Sequence, residues 1–260
     1  MTNARELVLA VLVVLPAVVL AACCEEGSGV MARETRSVEA WDRLVLDVPG
    51  TVRVVQGPAT PLRLRTDDNL IDRVVTRVDD GRLEVRTDDG CCIEPTSLTV
   101  ELSTEDVRGL AIDGSGAIVL PKPVDAGSLE LSIDGSGSIE AAAIRADQVV
   151  VDIDGSGDLD LVVEAAELST TIDGSGAVLL AGTAGRHDVS IDGSGDVEAR
   201  ALATGETTIE IDGSGDCAVA ADDALVVSID GSGDVAYCGD PRLTESIDGS
   251  GSVHRASACE

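Results

Sequence analysis

The sequence predicts an all-β protein: a parallel β-helix, or solenoid, of roughly 18–21 residues per coil with a strand-rich N-terminal cap. Three observations carry this. The pentapeptide Ile-Asp-Gly-Ser-Gly occurs eight times, beginning at Ile112, Ile133, Ile153, Ile172, Ile191, Ile211, Ile229 and Ile247, at intervals of 21, 20, 19, 19, 20, 18 and 18 residues. Apolar residues alternate on both sides of it, as in Leu129, Leu131, Ile133 before one copy and Ile139, Ala141, Ala143 after it; period two means strands with one buried face. Finally, the 260 residues include no Phe, one Trp (Trp41) and one Tyr (Tyr237), so the core is aliphatic and narrow, as in folds that grow in one dimension.

The N-terminus reads as an address. Leu7–Ala22 is an unbroken apolar run of 16 residues, short for a membrane span but suited to a signal peptide. It ends in Leu20-Ala21-Ala22-Cys23, similar to a bacterial lipoprotein signal. Residues 1–22 are therefore expected to be removed and Cys23 to carry lipid, which places the protein in a cell envelope, anchored to a bacterial membrane without a transmembrane helix. The alternative is a plain secretory signal cut near Ala22. Residues 23–35, polar from Cys24 to Glu34, are expected to form a flexible tether.

Residues 36–255 read as one β-helix domain. In 36–110 the alternation persists without Gly-Ser-Gly: Arg43–Gly57 reads as strand, Pro-Gly turn, strand, and a helical turn is expected near Asn69–Val75. This stretch supplies the opening coils and a cap, which an open β-helix edge needs. In 111–255 each repeat reads as strand, tight Gly-Ser-Gly turn, strand and polar turn. The Ile is the last inward residue of its strand, and the glycines permit the bend. An inward ladder is expected at Ile118, Ile139, Leu159, Val178, Val197, Cys217, Val235 and Val253, with Cys217 a buried, inert thiol. Of the other cysteines, Cys238 and Cys259 are the preferred disulfide pair, since both follow the second strand of successive repeats. Without a C-x-x-C pair and with two His, a zinc cage is not expected.

The stretches "SVEAWDRLVLDVPGTVRVVQG", "TDDNLIDRVVTRVDDGRLEV" and "LTVELSTEDVRGLAIDGSG", followed by the Gly-Ser-Gly strands, resemble the head GIN domain family of auto-transporter adhesins over roughly residues 36–255. The resemblance implies a right-handed β-helix on a bacterial envelope protein and brings no catalytic residues. This chain departs from the family in keeping Asp before every Gly-Ser-Gly.

The net charge is −30, and residues 111–260 hold 6 basic and 29 acidic residues. Such a field repels nucleic acid and anionic surfaces and attracts cations. The Asp series is Asp113, Asp134, Asp154, Asp173, Asp192, Asp212, Asp230 and Asp248; Asp158, Asp196, Asp216 and Asp234 form a second series after the turn. The main role expected of the first series is local capping, each carboxylate accepting backbone N–H groups two or three residues on. The other role is weak cation binding: carboxylates stacked ~4.8 Å apart repel by roughly 0.9 kcal/mol per pair even in bulk water, and calcium accepts such oxygens. Catalysis is not expected, because His187 and His254 lie more than three coils apart and the turn serines have no adjacent base. Thr170, Thr171, Thr207 and Thr208 are too few for an ice-binding ladder. The reading is a non-catalytic envelope lipoprotein, an adhesin or surface structural module that meets a surface protein or glycan and touches the membrane through its N-terminal lipid only. The alternative is an acidic rod that binds calcium or glycan.

Overall fold

A computed structural model describes residues 24–88, 92–257 and 259. The signal segment, Cys23 and Cys91 lie outside the described residues.

The chain is a β-solenoid built on one continuous sheet. Its first coil is β3 (Arg43–Asp47) and β4 (Thr51–Gln56). The Val48-Pro49-Gly50 turn between them stands where later coils have Gly-Ser-Gly: Leu46 is in register with Ile112, and Ala117 donates its N–H to the Gly50 carbonyl. The chain then leaves the stack through β5 (Thr60–Asp67), a 3-10 turn at Ile71–Arg73, and β6 (Val74–Asp79). It returns as β7 (Arg82–Thr87), the short β8 (Ile93–Glu94) and β9 (Thr99–Thr104). β7 and β9 lie parallel to β3 and β4 on their outer side, so the coil built first is sandwiched between the one built second and the repeats.

The repeats begin with β10 (Gly109–Gly114), β11 (Ala117–Leu120) and β12 (Val124–Gly135). From there each strand runs from one Gly-Ser-Gly corner to the next: β13 (Ser138–Gly155), β14 (Asp158–Gly174), β15 (Ala177–Gly193), β16 (Asp196–Gly213) and β17 (Cys217–Gly231). β18 (Asp234–Cys238), β19 (Arg242–Gly249) and β20 (Ser252–Arg255) close the chain. All pairings from β10 onward are parallel, and the eight pentapeptides stack residue on residue. The interior is filled by Leu, Ile, Val and Ala, and Ile112, Ile133, Ile153, Ile172, Ile191, Ile211 and Ile229 are all buried. Cys217 sits between Val197 and Val235 in the second ladder, and burial pushes its thiol pKa up.

The two ends differ. At the first, β5 pairs antiparallel with β9, and β6 pairs antiparallel with β7. At the last, β19 is exposed throughout. There Glu245 occupies the inward register of Val227, a charge that keeps a further strand from stacking on the open edge.

The segment expected to be a free tether is part of the fold. Cys24 is disulfide-bonded to Cys92, 68 residues away. β1 (Glu25–Glu26) pairs with β8, and β2 (Met31–Arg36) pairs antiparallel with β5. Asp67 fixes the stretch between them. Its buried carboxylate accepts the N–H groups of Gly29 and Thr96, both at 2.8 Å. Burial alone would raise its pKa, but these bonds hold it below the ordinary carboxylate value. Polar composition suggested a coil because period and hydropathy do not register a disulfide or a buried cap.

Candidate functional site

The repeated corner is the feature most open to a functional reading, and its backbone explains most of it. At Gly155 φ is +121°, and a Cβ there would come 2.5 Å from the carbonyl oxygen of Gly135 in the preceding coil. At Gly157 a Cβ would lie 2.6 Å from Cγ2 of Ile133. The first glycine is thus required by conformation and by the stacked backbone, and the second by the packed Ile of the coil before. The Ser between them is exposed in every copy, and from the second copy onward its N–H donates to the first glycine's carbonyl one coil back, as Ser156 does to Gly135 at 2.8 Å.

The local capping expected of the Asp series is not what the structure shows. All eight residues from Asp113 to Asp248 are exposed, and among the described residues none of their carboxylates accepts a hydrogen bond or forms an ion pair. The corner N–H groups that an Asp cap would have taken are used between coils. The eight carboxylates form an in-register outward column, extended by Asp47, which precedes the Val-Pro-Gly corner and whose pKa is raised by burial and by Asp113. Beside it, Asp152 is also raised, first by burial and then by Asp154, Glu130 and Asp173.

The second Asp series does bond to backbone, across coils. In the early repeats the N–H after the corner donates to a glycine carbonyl, Asp158 to Gly137 and Ala177 to Gly157, both at 3.0 Å. In the late repeats it turns to a carboxylate: Asp216 to Oδ1 of Asp196 at 3.1 Å, then Asp234 to Asp216 and Ser252 to Asp234, both at 2.9 Å. The appearance of Asp196, Asp216 and Asp234 in three successive repeats was a sequence signal for this change of partner.

Inside the solenoid, sequence reading missed a polar cluster. His187 stacks between Leu168 and Thr207 and is fully buried. Its Nε2 lies 3.1 Å from the Thr170 hydroxyl, and its Nδ1 has no partner among the described residues. Burial lowers its pKa to about 4, so it is neutral near pH 7, with Asp188 the opposing influence. The Thr204 hydroxyl donates to the Ala220 carbonyl at 2.7 Å and so accepts from the Thr207 hydroxyl, 2.6 Å away. His254 is exposed at the far end.

Cys238 and Cys259 are bonded, tying the C-terminal segment to β18. A surface concavity of about 660 Å³ is an open groove by Val38, Trp41, Pro61 and Thr104 near the cap. Among the described residues no group of three His, Cys, Asp or Glu could hold a metal ion, and no helix is long and apolar enough to cross a membrane.

A solenoid with uniform corners, an outward Asp column and a filled core defines a repeat module. The family comparison agrees: residues 40–161 and 143–241 match the model described as "Putative auto-transporter adhesin, head GIN domain", and the chain belongs to that family. Three solved structures share the fold. One from Parabacteroides distasonis, described as a "putative lipid binding protein", is 26% identical with a TM-score of 0.85, covering 89% of this chain and 99% of its own. A "putative adhesin" from Parabacteroides merdae is 21% identical with a TM-score of 0.85, covering 89% and 98%. Another from Parabacteroides distasonis is 22% identical with a TM-score of 0.85, covering 90% and 100%. No curated protein matches the chain.

Proposed function

We propose that the protein is a non-catalytic, lipid-anchored module of a bacterial surface that recognises its partner through the sides of the solenoid. The observation that supports this most is the in-register outward column of Asp at the corners, which presents the same chemistry at each strand step and suits a repetitive protein or glycan surface. Family membership points the same way. The lipid-binding description of the Parabacteroides distasonis relative does not translate into an internal lipid site, because this interior is filled by its own side chains. Anchoring rests on Leu20-Ala21-Ala22-Cys23.

The test is adherence. A deletion strain complemented with the parent gene should regain attachment to envelope or host glycans and proteins, and a chain with Thr171→Arg, Ser190→Arg and Ser228→Arg, three exposed residues of one register row beside the Asp column, should not. Equal attachment by deletion and complemented strains would reject an adhesive role.

A second reading, an acidic rod that gathers cations, is favoured by the unpartnered Asp column and the raised Asp152. Calorimetry with calcium separates the two, since a rod that recognises only a partner gives no heat.

A further inference from the structure

Four arginines share one exposed face at the capped end. Arg33 of β2 and Arg65 of β5 stand directly opposite each other in their antiparallel pair. Two residues along β5, Arg63 is in register with Glu101 of β9, and on the far side of Glu101 is Arg53 of β4. All four are exposed, and among the described residues none of their side chains has an ion pair or hydrogen bond. The arginines of the solenoid body differ: Arg145, Arg186 and Arg200 each lie beside a carboxylate. Like charges directly opposed destabilise a strand pair. Protection of a bare edge accounts for Arg33 on the edge strand β2, but β4, β5 and β9 lie inside the sheet, so it does not account for Arg53, Arg63 or Arg65.

The position of this face supplies a partner. The Cys24–Cys92 bond, the β1–β8 pair and the Asp67 cap hold the chain where β2 begins, β5 ends and β9 begins. The described chain therefore enters the fold at that margin, at Cys24, and Arg33 and Arg65 lie two residues in from the Met31–Asp67 pair, about 7 Å along the strands. On the same side of the sheet, the register row runs Arg63, Glu101, Arg53, Val119, Glu140 and Asp160. Its two arginines stand at the capped end, and the two coils that follow Val119 are acidic there.

We propose that this arginine face docks on anionic lipid headgroups of the membrane that holds the Cys23 acyl chains, setting the cap on the bilayer and directing the acidic coils away from it. The inference rests on lipid anchoring of Cys23. Acyl chain and basic face then act as two membrane signals joined by a rigid mount.

Trp41, the single tryptophan, lies at the capped end and reports the docking. The full processed chain is reconstituted into vesicles of phosphatidylcholine, with or without phosphatidylglycerol, carrying a dansyl-labelled lipid, and energy transfer from Trp41 is read. Transfer should be higher with phosphatidylglycerol and should fall to the neutral-vesicle level in high salt. A variant carrying Arg33→Gln, Arg53→Gln, Arg63→Gln and Arg65→Gln, checked for parental melting, should stay at the neutral level, and the corresponding four-Lys variant should keep the response. Equal transfer in the two vesicle types, or a response that survives the Gln changes, overturns the proposal. So does loss of the response to inorganic phosphate at matched ionic strength, which would assign the face to a free anion. Anchoring is checked separately by the mass of the processed chain. If acyl groups are missing, the anchor reading fails, and the same transfer read with chain added from solution decides whether the arginine face binds anionic lipid.

Discussion

The capped end and the repeated coils use the same strands and hold them by different means. In residues 24–108 the chain doubles back, mixes parallel with antiparallel pairing, and relies on particular bonds: Cys24–Cys92, the Asp67 carboxylate, and Arg36 donating to the carbonyls of Val74 and Ile71. In residues 109–255 every coil turns on the same corner, and what fixes it is what cannot fit: a Cβ at a stacked corner glycine, or a charge in the largely aliphatic interior. A cap is specified by pairs of distant residues, whereas a repeat is specified by one local rule applied many times.

That contrast can be broken at several points. The largest effect is expected from Ile153→Asp, which buries an unpaired charge and should cost about 5 kcal/mol or more in chemical denaturation. Ser156→Ala, in the same corner but exposed, should stay within about 0.5 kcal/mol. A reversed order would invert the inside and outside of the coil.

Corner glycines sharpen the point, because the first copy has no repeat corner stacked beneath it. Gly155→Ala meets both a positive φ and the Gly135 carbonyl, and should cost about 4 kcal/mol. Gly114 has φ +113° with nothing within 4 Å of a Cβ, so Gly114→Ala should cost only about 1 kcal/mol of strain. Equal losses would mean that stacking contributes nothing to the glycine requirement.

The buried His187 makes the coils sensitive to acid. Its folded pKa of about 4 lies below the ordinary 6.5, so the unfolded chain takes up the proton first. Its neutral form is unpenalised above pH 6.5, and stability is lost as the pH falls towards 4, by about 3 kcal/mol. His187→Leu should remove that slope, and a variant with the parent's full slope between these pH values would disprove the assignment.

A smaller effect separates the two Asp series. Asp216→Ala removes an acceptor from the Asp234 N–H and should cost about 1 kcal/mol, whereas Asp154→Ala removes none and should be close to neutral. Equal costs measured by denaturant melting would mean that the inter-coil bonds carry no weight.

How much of this was readable depends on the range of the signal. The solenoid, the inward Ile and the inert Cys217 follow from period two and a repeat near twenty, both visible in any short window. The alternating strands Arg43–Asp47 and Thr51–Gln56 were legible in the same way. Their place between the repeats and a coil made later was not, because it depends on the chain's return through β7 and β9. The capping role given to Asp113 and its successors failed for a related reason. A single Asp-Gly-Ser-Gly favours a local turn, but in a stack the preceding coil's Gly carbonyl takes the corner N–H first. The arginine face was hidden because Arg33 and Arg53 reach the Arg63–Arg65 strand only through long-range register, antiparallel for β2 and by way of β9 for β4.

The central claim is that the pentapeptide is a packed corner whose Asp is dispensable to the fold. Thermal melting of the parent and of a chain with Asp154, Asp173, Asp192 and Asp212 all changed to Asn, at low salt with and without calcium, tests it most directly. Asn keeps the size and removes the charge, so relief of neighbour repulsion should leave the variant as stable as the parent or more so, with neither chain responding to micromolar calcium. A parent that gains many degrees from calcium, beside an Asn variant that gains none, would contradict the account and make the eight corners ion sites.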